Sequence, residues 1–410
     1  MKVLHVVSGD LSGGAGRGVL WLHRGLLELN IDSVVLSSHK PIKSDEGLIY
    51  YSSTFARRLR LRVFKILDRA LLYFYPRREK GLSLGVLGVN IRSLREYRMA
   101  DVINIHWVNN GFVSLSCIKR IDKPVLFTLR DMWSFTGLCH YSRGCTSYYT
   151  GCGTCPLLKS KNKLDISLLL ARYKRKCLRD LLIVGISPWI SKEAEKSFVF
   201  KDRSIRVIWN NVDLKEFYPV QKANARKELQ LPLNKKLILV TAVNINAYYK
   251  GFSYALESVL DIKSEDVAVV FVGKINEDIL KDYDIEYYSF GFISDPHRLR
   301  LLYSAVQVLL APSTQEAFGK TIIESFACGT PVVCFDNSGP GDLVSHKVNG
   351  YVAESFSVQD MSKGINWVLR CANSSEMSSN CIANSKNYDY TKAADMYKKL
   401  YHELLVARAK

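Results

Sequence analysis

The sequence has no long apolar run. None of its stretches approaches the roughly 18 to 20 consecutive residues that a membrane-spanning helix needs. The first residues, MKVLHVVSGDLSGG, hold one lysine and a short apolar segment, and no small-residue cleavage site precedes the glycines. We interpret them as a first strand and expect a cytoplasmic protein. The ten cysteines then imply a reducing compartment, where disulfides are rare.

Several motifs of common nucleotide- and nucleic-acid-binding proteins are also missing. A dinucleotide fingerprint needs G-x-G-x-x-G and an acidic residue closing the second strand. The chain reads GGAGRG, and its second strand, SVVLSSHK, ends without an acid, which argues against NAD. No acidic pair of the DxD type follows a strand, so the chemistry does not call for a divalent ion. No helix-turn-helix, zinc-finger spacing or RNP motif is present, and we expect no nucleic-acid partner.

Positive charge is concentrated in the first half of the chain. Residues 1–200 contain 32 Lys and Arg against 15 Asp and Glu, whereas residues 201–410 contain 25 against 24. The excess is therefore +17 in the first half and +1 in the second. This asymmetry favours an anionic partner for the N-terminal part, such as a lipid surface or a polyphosphate lipid.

Strand patterns alternate with helical patterns in two successive series. The first begins with KVLHVVS and the second with LILVTAV, after the turn-rich IWNNVDLKEFYP. This rhythm predicts an α/β protein with two Rossmann-like, doubly wound parallel sheets. We predict an N-terminal domain over 1–208 with a cysteine-rich insertion at about 136–160, and a C-terminal domain over 209–388. The last residues, 389–410, predict an amphipathic helix that packs back on the N-terminal domain with Met396, Leu400, Leu404 and Leu405 inward.

The most specific motif is STQEAFGKTIIESFACGTPVV, at residues 313–333. A loop of small residues leads into a predicted helix, whose free N–H groups and positive dipole end suit a diphosphate. Glu324 lies on that helix, where its carboxylate can accept two hydroxyl protons of a ribose. Glu316 lies on the preceding loop, facing the bound group. Two ordinary surface glutamates are the alternative, and the flanking pattern argues against it.

The residues around this motif carry a family resemblance. APSTQEAFGKTIIESFACGTPVVCFDNSGPGDLV resembles the signature of the retaining glycosyltransferases of family four, which have the GT-B fold of two Rossmann-like domains facing across a cleft. Further similarity lies in GGAGRG, ISPWISKEAEKS, YYKGF and VNGYV, over nearly the whole chain. The segment TLRDMWSFTGLCHYSRGCTSYYTGCGTCPLL resembles the branch that assembles bacterial surface polysaccharides such as colanic acid, O-antigen and capsule.

The resemblance implies roles for the residues of the main motif. Glu324 would hold the ribose of a nucleotide sugar, and Glu316 would contact the donor sugar or its developing charge. Backbone N–H groups of Phe318, Gly319 and Lys320 would face the donor. Lys250, in YYKGF, would neutralise the donor phosphates, for which an ammonium is a suitable point charge. An ordinary loop lysine is the alternative for Lys250.

The resemblance is incomplete just before Lys250. The family usually has a second basic residue there, whereas this chain has Tyr248 and Tyr249. Phosphate binding would then depend on Lys250 and the helix end. In the first glycine-rich loop, Gly13 and Gly14 would allow close approach of the backbone to the diphosphate or acceptor, and Arg17 would add charge.

Three polar residues of the N-terminal half are candidates for the catalytic site. His106 follows a predicted strand, at the end where open α/β sheets bind ligands. A hydrogen-bonded core histidine is the alternative. Relatives frequently have histidine where Arg130 stands, but arginine cannot act as a base at neutral pH. We expect Arg130 to bind donor phosphate or acceptor charge, with Asp131 orienting it or accepting from the acceptor hydroxyl.

Four cysteines are clustered at Cys139, Cys145, Cys152 and Cys155, beside His140. The number of thiols and the C-x-x-C pair suit structural zinc, although the spacing is irregular. Reduced unliganded thiols and disulfides remain open as alternatives. In each case we expect the segment to shape the acceptor side of the cleft rather than to perform chemistry.

The segment FARRLRLRVFKILDRALLYFYPRR, residues 55–78, combines eight basic residues with apolar residues at near-helical spacing. It predicts an amphipathic helix able to lie on anionic lipid, and a basic solvated helix is the alternative. We therefore expect a peripheral enzyme at the inner membrane face that needs no metal for catalysis and transfers a sugar from a nucleotide-diphosphate sugar to a lipid-linked glycan. A Rossmann epimerase or dehydrogenase, or a basic membrane-binding module with a degenerate transferase fold, are the rival interpretations.

Overall fold

The computed structural model describes residues 1–42, 45–262, 264, 266–371 and 375–409. It divides into two compact units. Unit 1 comprises Met1–Asn210 together with Tyr390–Lys410, and unit 2 comprises Asn211–Asp389. The division lies two residues from the boundary of 208 predicted from the sequence, and Lys410 of the predicted final helix lies outside the described residues.

Unit 1 is built on a seven-stranded sheet in which every pairing is parallel. Its strands are β1 (Lys2–Val7), β2 (Asp32–Ser37), β3 (Leu48–Tyr50), β4 (Val102–Ile105), β5 (Val125–Leu129), β6 (Leu182–Gly185) and β7 (Arg206–Val207). The order is β3-β2-β1-β4-β5-β6-β7, so the direction of strand succession reverses between β1 and β4. In open parallel sheets such a reversal leaves a crevice at the carboxyl ends of the two strands.

Among the described residues, four of the six helices between β1 and β7 of unit 1 begin at a side chain that caps them. The six helices are α1 (Gly14–Glu28), α2 (Phe55–Ala70), α3 (Arg95–Met99), α4 (Leu115–Lys119), α5 (Ile166–Cys177) and α6 (Pro188–Lys196). The Asp165 carboxylate accepts from the first backbone N–H groups of α5, and Ser187 caps α6, whose first residue is a proline. Such caps satisfy donors that have no partner within the helix.

Unit 2 repeats the same plan with six strands. They are β8 (Lys236–Asn244), β9 (Val267–Lys274), β10 (Tyr287–Ser289), β11 (Val308–Ala311), β12 (Val332–Phe335) and β13 (Gly350–Ala353). All are parallel, in the order β10-β9-β8-β11-β12-β13, with the reversal between β8 and β11. Two doubly wound α/β units are therefore present, and the predicted fold class is confirmed.

The helices of unit 2 pack on an apolar core. They are α7 (Lys222–Leu229), α8 (Phe252–Leu260), α9 (Pro296–Ala305), α10 (Lys320–Ala327), α11 (Val358–Cys371) and α12 (Ser375–Ser385). Buried Val and Ile of β8, β9 and β11 meet Leu256 of α8 and Ile365 of α11. Near-continuous apolar strands of this kind are typical of sheets covered on both faces.

The last helix, α13 (Tyr390–Ala409), packs on unit 1. Tyr397 and Tyr401 are buried against the sheet, and the Tyr401 hydroxyl accepts from Asn104 Nδ2 at 2.8 Å. Leu400 lies inward as predicted, but Met396 is exposed, so its predicted orientation is wrong. The buried face contains tyrosines because the sheet presents polar groups, Asn104 and Thr128, that tyrosine hydroxyls can satisfy.

None of the described helices is both long enough and apolar enough to cross a bilayer.

The contact between α1 and α13 gives a test of the packing of unit 1. A Cβ added at Gly25 would lie 2.7 Å from Ala394 Cβ and 3.1 Å from the Tyr390 carbonyl oxygen. We expect Gly25→Ala to destabilise unit 1 by about 1–3 kcal/mol, because the helices must separate. Calorimetry should show a lower melting temperature. Gly14→Ala is the control, since nothing lies within 4 Å of its added Cβ. Equal melting of both variants would contradict this packing.

Candidate functional site

The loops that follow β8 and β11 meet at the point where the strand order of unit 2 reverses. Gly251, just after β8, has φ +67°, and a Cβ there would lie 1.8 Å from the Pro312 carbonyl oxygen. A side chain is therefore excluded by both conformation and space. Thr314 N–H donates to the Tyr249 carbonyl oxygen at 2.9 Å, which ties the two loops together.

This junction holds a charged pair predicted only as separate residues. Lys250 Nζ lies 2.8 Å from Glu316 Oε2, and Ser313 Oγ donates to the same oxygen at 3.0 Å. Each side chain of the pair keeps 20% of its surface exposed. Burial alone would lower the pKa of Lys250, but the Glu316 carboxylate raises it above its usual range. The lysine is thus held as a cation at the carboxyl edge of the sheet.

The main motif enters α10 through Gly319, whose φ of +103° is left-handed. The preceding turn approaches Gly339 so closely that a Cβ there would lie 2.7 Å from Phe318 N. Phe318 is buried against Tyr388, with ring centroids 6.0 Å apart. These contacts fix the start of α10 at the sheet edge, where its backbone N–H groups were predicted to face a donor.

The side chain of Lys320 has a different task from its backbone. Its ammonium is buried and donates to the Asn211 carbonyl oxygen at 2.7 Å. It therefore anchors the start of unit 2 to α10. Any contribution of Lys320 to an anion would come from its N–H group, which is the contribution predicted from the sequence.

Glu324 lies deeper than the sequence suggests. Glu324 is only 1% exposed, and its Oε2 accepts a hydrogen bond from the Tyr303 hydroxyl at 2.9 Å. Tyr303 belongs to α9, and its carbonyl oxygen accepts a hydrogen bond from Thr330 Oγ1. The predicted ribose contact stays a prediction, and Tyr303 is a neighbour that the motif did not reveal.

In unit 1, His106 lies inside the fold just after β4. It is fully buried, with Nε2 3.1 Å from His5 Nδ1 and Nδ1 3.3 Å from Arg130 Nη2. Since arginine only donates, His106 Nδ1 accepts, and Nε2–H donates to His5. Burial, and then the Arg130 charge, hold the pKa of His106 well below its usual value. The geometry therefore favours the structural alternative over a catalytic histidine.

Arg130 completes this network from the end of β5. Nη1 donates to Asn210 Oδ1 at 2.8 Å, and a Cβ at Gly18 would lie 2.7 Å from the same nitrogen. Burial lowers the pKa of the guanidinium, which has no carboxylate partner among the described residues. A cation in this state is suited to an external anion. The binding of donor phosphate or acceptor charge by Arg130 stays a prediction.

Asp131 does not orient Arg130, and that prediction is wrong. Its Oδ2 lies 2.6 Å from His140 Nδ1, and its Oδ1 accepts from the Trp133 N–H at 2.9 Å. His140 Nε2 lies 2.9 Å from Ser83 Oγ. Asp131 therefore links the end of β5 to the cysteine-rich segment. A contact with an acceptor hydroxyl stays a prediction.

The glycine-rich loop after β1 requires glycine at other positions than those predicted. A Cβ at Gly13 or Gly14 would meet no atom within 4 Å, whereas one at Gly16 would lie 2.4 Å from Leu11 Cα. Close approach of a ligand to Gly13 and Gly14 stays a prediction. The Arg17 guanidinium lies over the Trp21 ring, 5.5 Å from its centroid, rather than extending freely.

The four clustered cysteines line one cavity of about 20 Å³. All ten cysteines are free thiols. Burial raises the pKa of Cys139 to about 11 and that of Cys152 to about 12, which favours protonated thiols. Within the described ranges, no three His, Cys, Asp or Glu side chains are arranged to hold a metal ion. Structural zinc stays a prediction.

A known family matches the part of the chain that carries the charged pair and α10. The family model described as glycosyl transferases group 1 matches residues 221–388. Residues 221–388 belong to this family. The resemblance inferred from the motifs is thereby confirmed, and the match covers all strands of unit 2.

Several curated relatives are glycosyltransferases. The chain is 25% identical over 306 residues to an uncharacterized glycosyltransferase of Methanocaldococcus jannaschii, covering 68% of this chain and 76% of the relative. It is 23% identical to a putative colanic acid biosynthesis glycosyl transferase of Escherichia coli K12, in a match that covers 63% of this chain and 64% of the relative. A third relative is an N,N'-diacetylbacillosaminyl-diphospho-undecaprenol alpha-1,3-N-acetylgalactosaminyltransferase of Campylobacter jejuni. The chain is 25% identical to it, in a match that covers 52% of this chain and 58% of the relative. The matches thus span less than two thirds of the last two relatives.

Solved structures share the fold over the whole chain. Sucrose-phosphate synthase of Thermosynechococcus elongatus superposes with a TM-score of 0.73 at 18% identity, covering 99% of this chain and 100% of that one. An Anabaena protein in complex with UDP and glucose gives 0.64 at 15% identity, covering 98% and 100%. At these identities the likeness shows the fold alone.

The buried histidines generate a prediction about pH. Burial lowers the pKa of His5, His23 and His106, so the folded state stays neutral where unfolded histidines take up protons. Stability should therefore fall as pH drops below about 6.5, by up to about 1.4 kcal/mol per pH unit for each histidine.

His106→Gln tests this, because glutamine can accept from Arg130 and donate to His5 without titrating. Urea denaturation between pH 7.5 and 5.5 should give a shallower loss of stability for this variant. His402→Gln, at an exposed position, should keep the original slope. Identical slopes for all three proteins would show that His106 is protonated in the folded state.

Proposed function

We propose that the chain is a retaining glycosyltransferase that moves a sugar from a nucleotide-diphosphate sugar to a lipid-linked glycan in bacterial surface-polysaccharide assembly. The observation that carries this proposal is the Lys250–Glu316 pair beside the start of α10, within the region that matches the glycosyltransferase family. It brings a cation, a carboxylate and a helix N-terminus to one strand-order reversal. These are the groups that a diphosphate and a reacting sugar require.

The donor diphosphate would bind Lys250 and the backbone at the start of α10. Its negative charge would compete with Glu316 for the ammonium, which leaves the Glu316 carboxylate available to the sugar. Glu324, further along α10, would hold the ribose hydroxyls, with Tyr303 fixing the carboxylate. The Anabaena structure with UDP and glucose is consistent with a nucleotide donor for this fold.

The reaction needs no protein nucleophile in this proposal. The acceptor oxygen attacks the anomeric carbon on the face from which the diphosphate departs, and the leaving diphosphate takes the acceptor proton. The bond from anomeric carbon to phosphate oxygen breaks as the new glycosidic bond forms. Protein groups would stabilise the developing charges and position the reactants, without a metal ion. Arg130, a cation without a carboxylate partner among the described residues, would bind acceptor or donor charge.

A lipid-linked acceptor is supported by the surface of α2. The helix exposes an apolar stripe of Phe55, Leu59, Val63, Ile66 and Leu67. Arginines flank the stripe, and Phe74 beyond the helix is 81% exposed. Such a helix suits the interface of an anionic bilayer, and would place the enzyme peripherally at the inner membrane face. The Campylobacter relative is named for an undecaprenol-linked substrate.

The site assignment predicts different kinetic defects for the two glutamates. Glu324→Ala should raise the KM for the nucleotide sugar, because it removes a ground-state contact. Glu316→Ala should lower kcat by about tenfold or more, because it removes a contact to the reacting sugar. Initial rates with a panel of nucleotide sugars measure both, and EDTA should leave them unchanged. Glu354→Ala, an exposed carboxylate of the same unit, is the control. Full activity in both site variants would refute the assignment.

The apolar stripe predicts a membrane-binding defect that does not depend on charge. Leu59→Ser with Ile66→Ser should reduce co-sedimentation with anionic liposomes, since each buried apolar side chain contributes about 1.5–3 kcal/mol. Both side chains are exposed, so the fold should be retained. Leu233→Ser with Val406→Ser, at exposed apolar positions outside the stripe, is the control. Undiminished binding by the stripe variant would mean that α2 is a solvated helix.

A further inference from the structure

A cavity of about 510 Å³ opens at the carboxyl edge of the unit 1 sheet. Its floor comes from the loops after β1 and β2, and its sides come from the end of β3 and the first turn of α2. The lining residues with polar side chains are Asp10, His39, Lys40, Tyr50, Ser52 and Arg58. Its volume lies in the range of ordinary small-ligand sites.

The two loops that form the floor are hydrogen-bonded to each other. Gly9 N–H donates to Ser38 Oγ at 2.8 Å, and His39 N–H donates to the Gly9 carbonyl oxygen at 3.1 Å. Ile42 N–H donates to the Asp10 carbonyl oxygen at 3.2 Å. The floor is therefore formed without a ligand, which reduces the entropy cost of binding one.

The charges of the cavity favour an anion. Lys40 and Arg58 have no carboxylate partner within the described ranges, and the Tyr50 hydroxyl has no hydrogen-bond partner there. The one carboxylate of the lining, Asp10, already accepts from Ser12 N–H at 3.1 Å and from Ser12 Oγ at 2.6 Å. Among the described lining residues, two cations and a hydroxyl donor thus face a space whose one carboxylate is already hydrogen-bonded within its own loop.

The helix that supplies Arg58 also carries the exposed apolar stripe. Arg58 precedes Leu59 of the stripe, whereas its neighbour Arg57 lies over the Tyr51 ring, 5.4 Å from the centroid. A phosphate in the cavity is therefore next to a surface that suits a hydrocarbon chain. Free phosphate would use only the cations and would gain nothing from the stripe.

We propose that this cavity binds the phosphate-bearing head group of a lipid-linked acceptor, with Lys40 and Arg58 on the phosphate oxygens and the Tyr50 hydroxyl as a further donor. The lipid chain then runs along the apolar stripe of α2. This inference rests on the proposed function for its lipid-linked acceptor, and all the lining residues of the cavity belong to unit 1.

The test uses the full chain and a water-soluble short-chain prenyl diphosphate, farnesyl diphosphate, in titration calorimetry without membranes. We expect Lys40→Gln with Arg58→Gln to weaken its binding by about tenfold or more, because two charged hydrogen bonds are lost. Arg60→Gln with Arg62→Gln also removes two positive charges, from positions of α2 that do not line the cavity, and should change binding little. Inorganic pyrophosphate should bind wild type at least about tenfold more weakly than farnesyl diphosphate, since it lacks the chain.

Each result decides the proposal. Equal weakening by both double variants would show general surface attraction and overturn it. Pyrophosphate binding as tight as that of farnesyl diphosphate would overturn the lipid assignment, and so would the absence of any binding by wild type. Nucleotide-sugar affinity, measured on the same samples, should stay unchanged in both variants and shows that they are folded. Selective loss of farnesyl diphosphate binding in a protein that transfers no sugar would support the cavity and refute the proposed function alone.

Discussion

The parallel direction of every strand in both sheets is the constraint on which the candidate sites depend. Parallel pairing requires each connection to cross back over the sheet, so all carboxyl ends meet at one edge. Where the strand order reverses, two neighbouring loops leave in opposite directions and open a crevice. In unit 2 this happens between β8 and β11, and it brings Lys250 to Glu316 although 66 residues separate them. In unit 1 it happens between β1 and β4, beside His106 and the glycine-rich loop.

The two units use charge differently at these edges. Lys250 and Glu316 neutralise each other while staying partly exposed, so a ligand anion has to displace a carboxylate from its partner. Among the described residues, Arg130 has only the neutral partners Asn210 and His106, and the arginine itself helps to keep that histidine neutral. On ligand binding, the first arrangement would exchange one anion for another, and the second would offer a cation without a carboxylate partner among the described residues. Both suit a reaction in which a diphosphate departs and negative charge moves.

The sequence predicted what depends on local pattern and on one specific motif. Strand periodicity predicted the two parallel α/β units, and the motif around Glu316 and Glu324 predicted the family. The hydrogen-bond partners of individual side chains were harder to predict from the sequence, because those partners are distant in the chain. The sequence predicted that Asp131 would orient its neighbour Arg130. In the structure the chain folds back after β5 and brings His140 to the Asp131 carboxylate instead. Hydropathy likewise predicted that Met396 would face the core. Hydropathy takes no account of tyrosine hydroxyls that form hydrogen bonds with polar groups of the sheet, so it did not predict the buried tyrosine face of α13.

In the proposed function, Lys250 binds the phosphates of a nucleotide-sugar donor. The most direct measurement is the affinity of the full chain for a nucleoside diphosphate, by titration calorimetry, in wild type and Lys250→Met. Methionine keeps most of the apolar stem and removes the charge. We expect at least about tenfold weaker binding in the variant, because a charge-assisted contact to phosphate is lost. Equal affinity of the two proteins would contradict it, and would mean that the Lys250–Glu316 pair serves only to join the two loops.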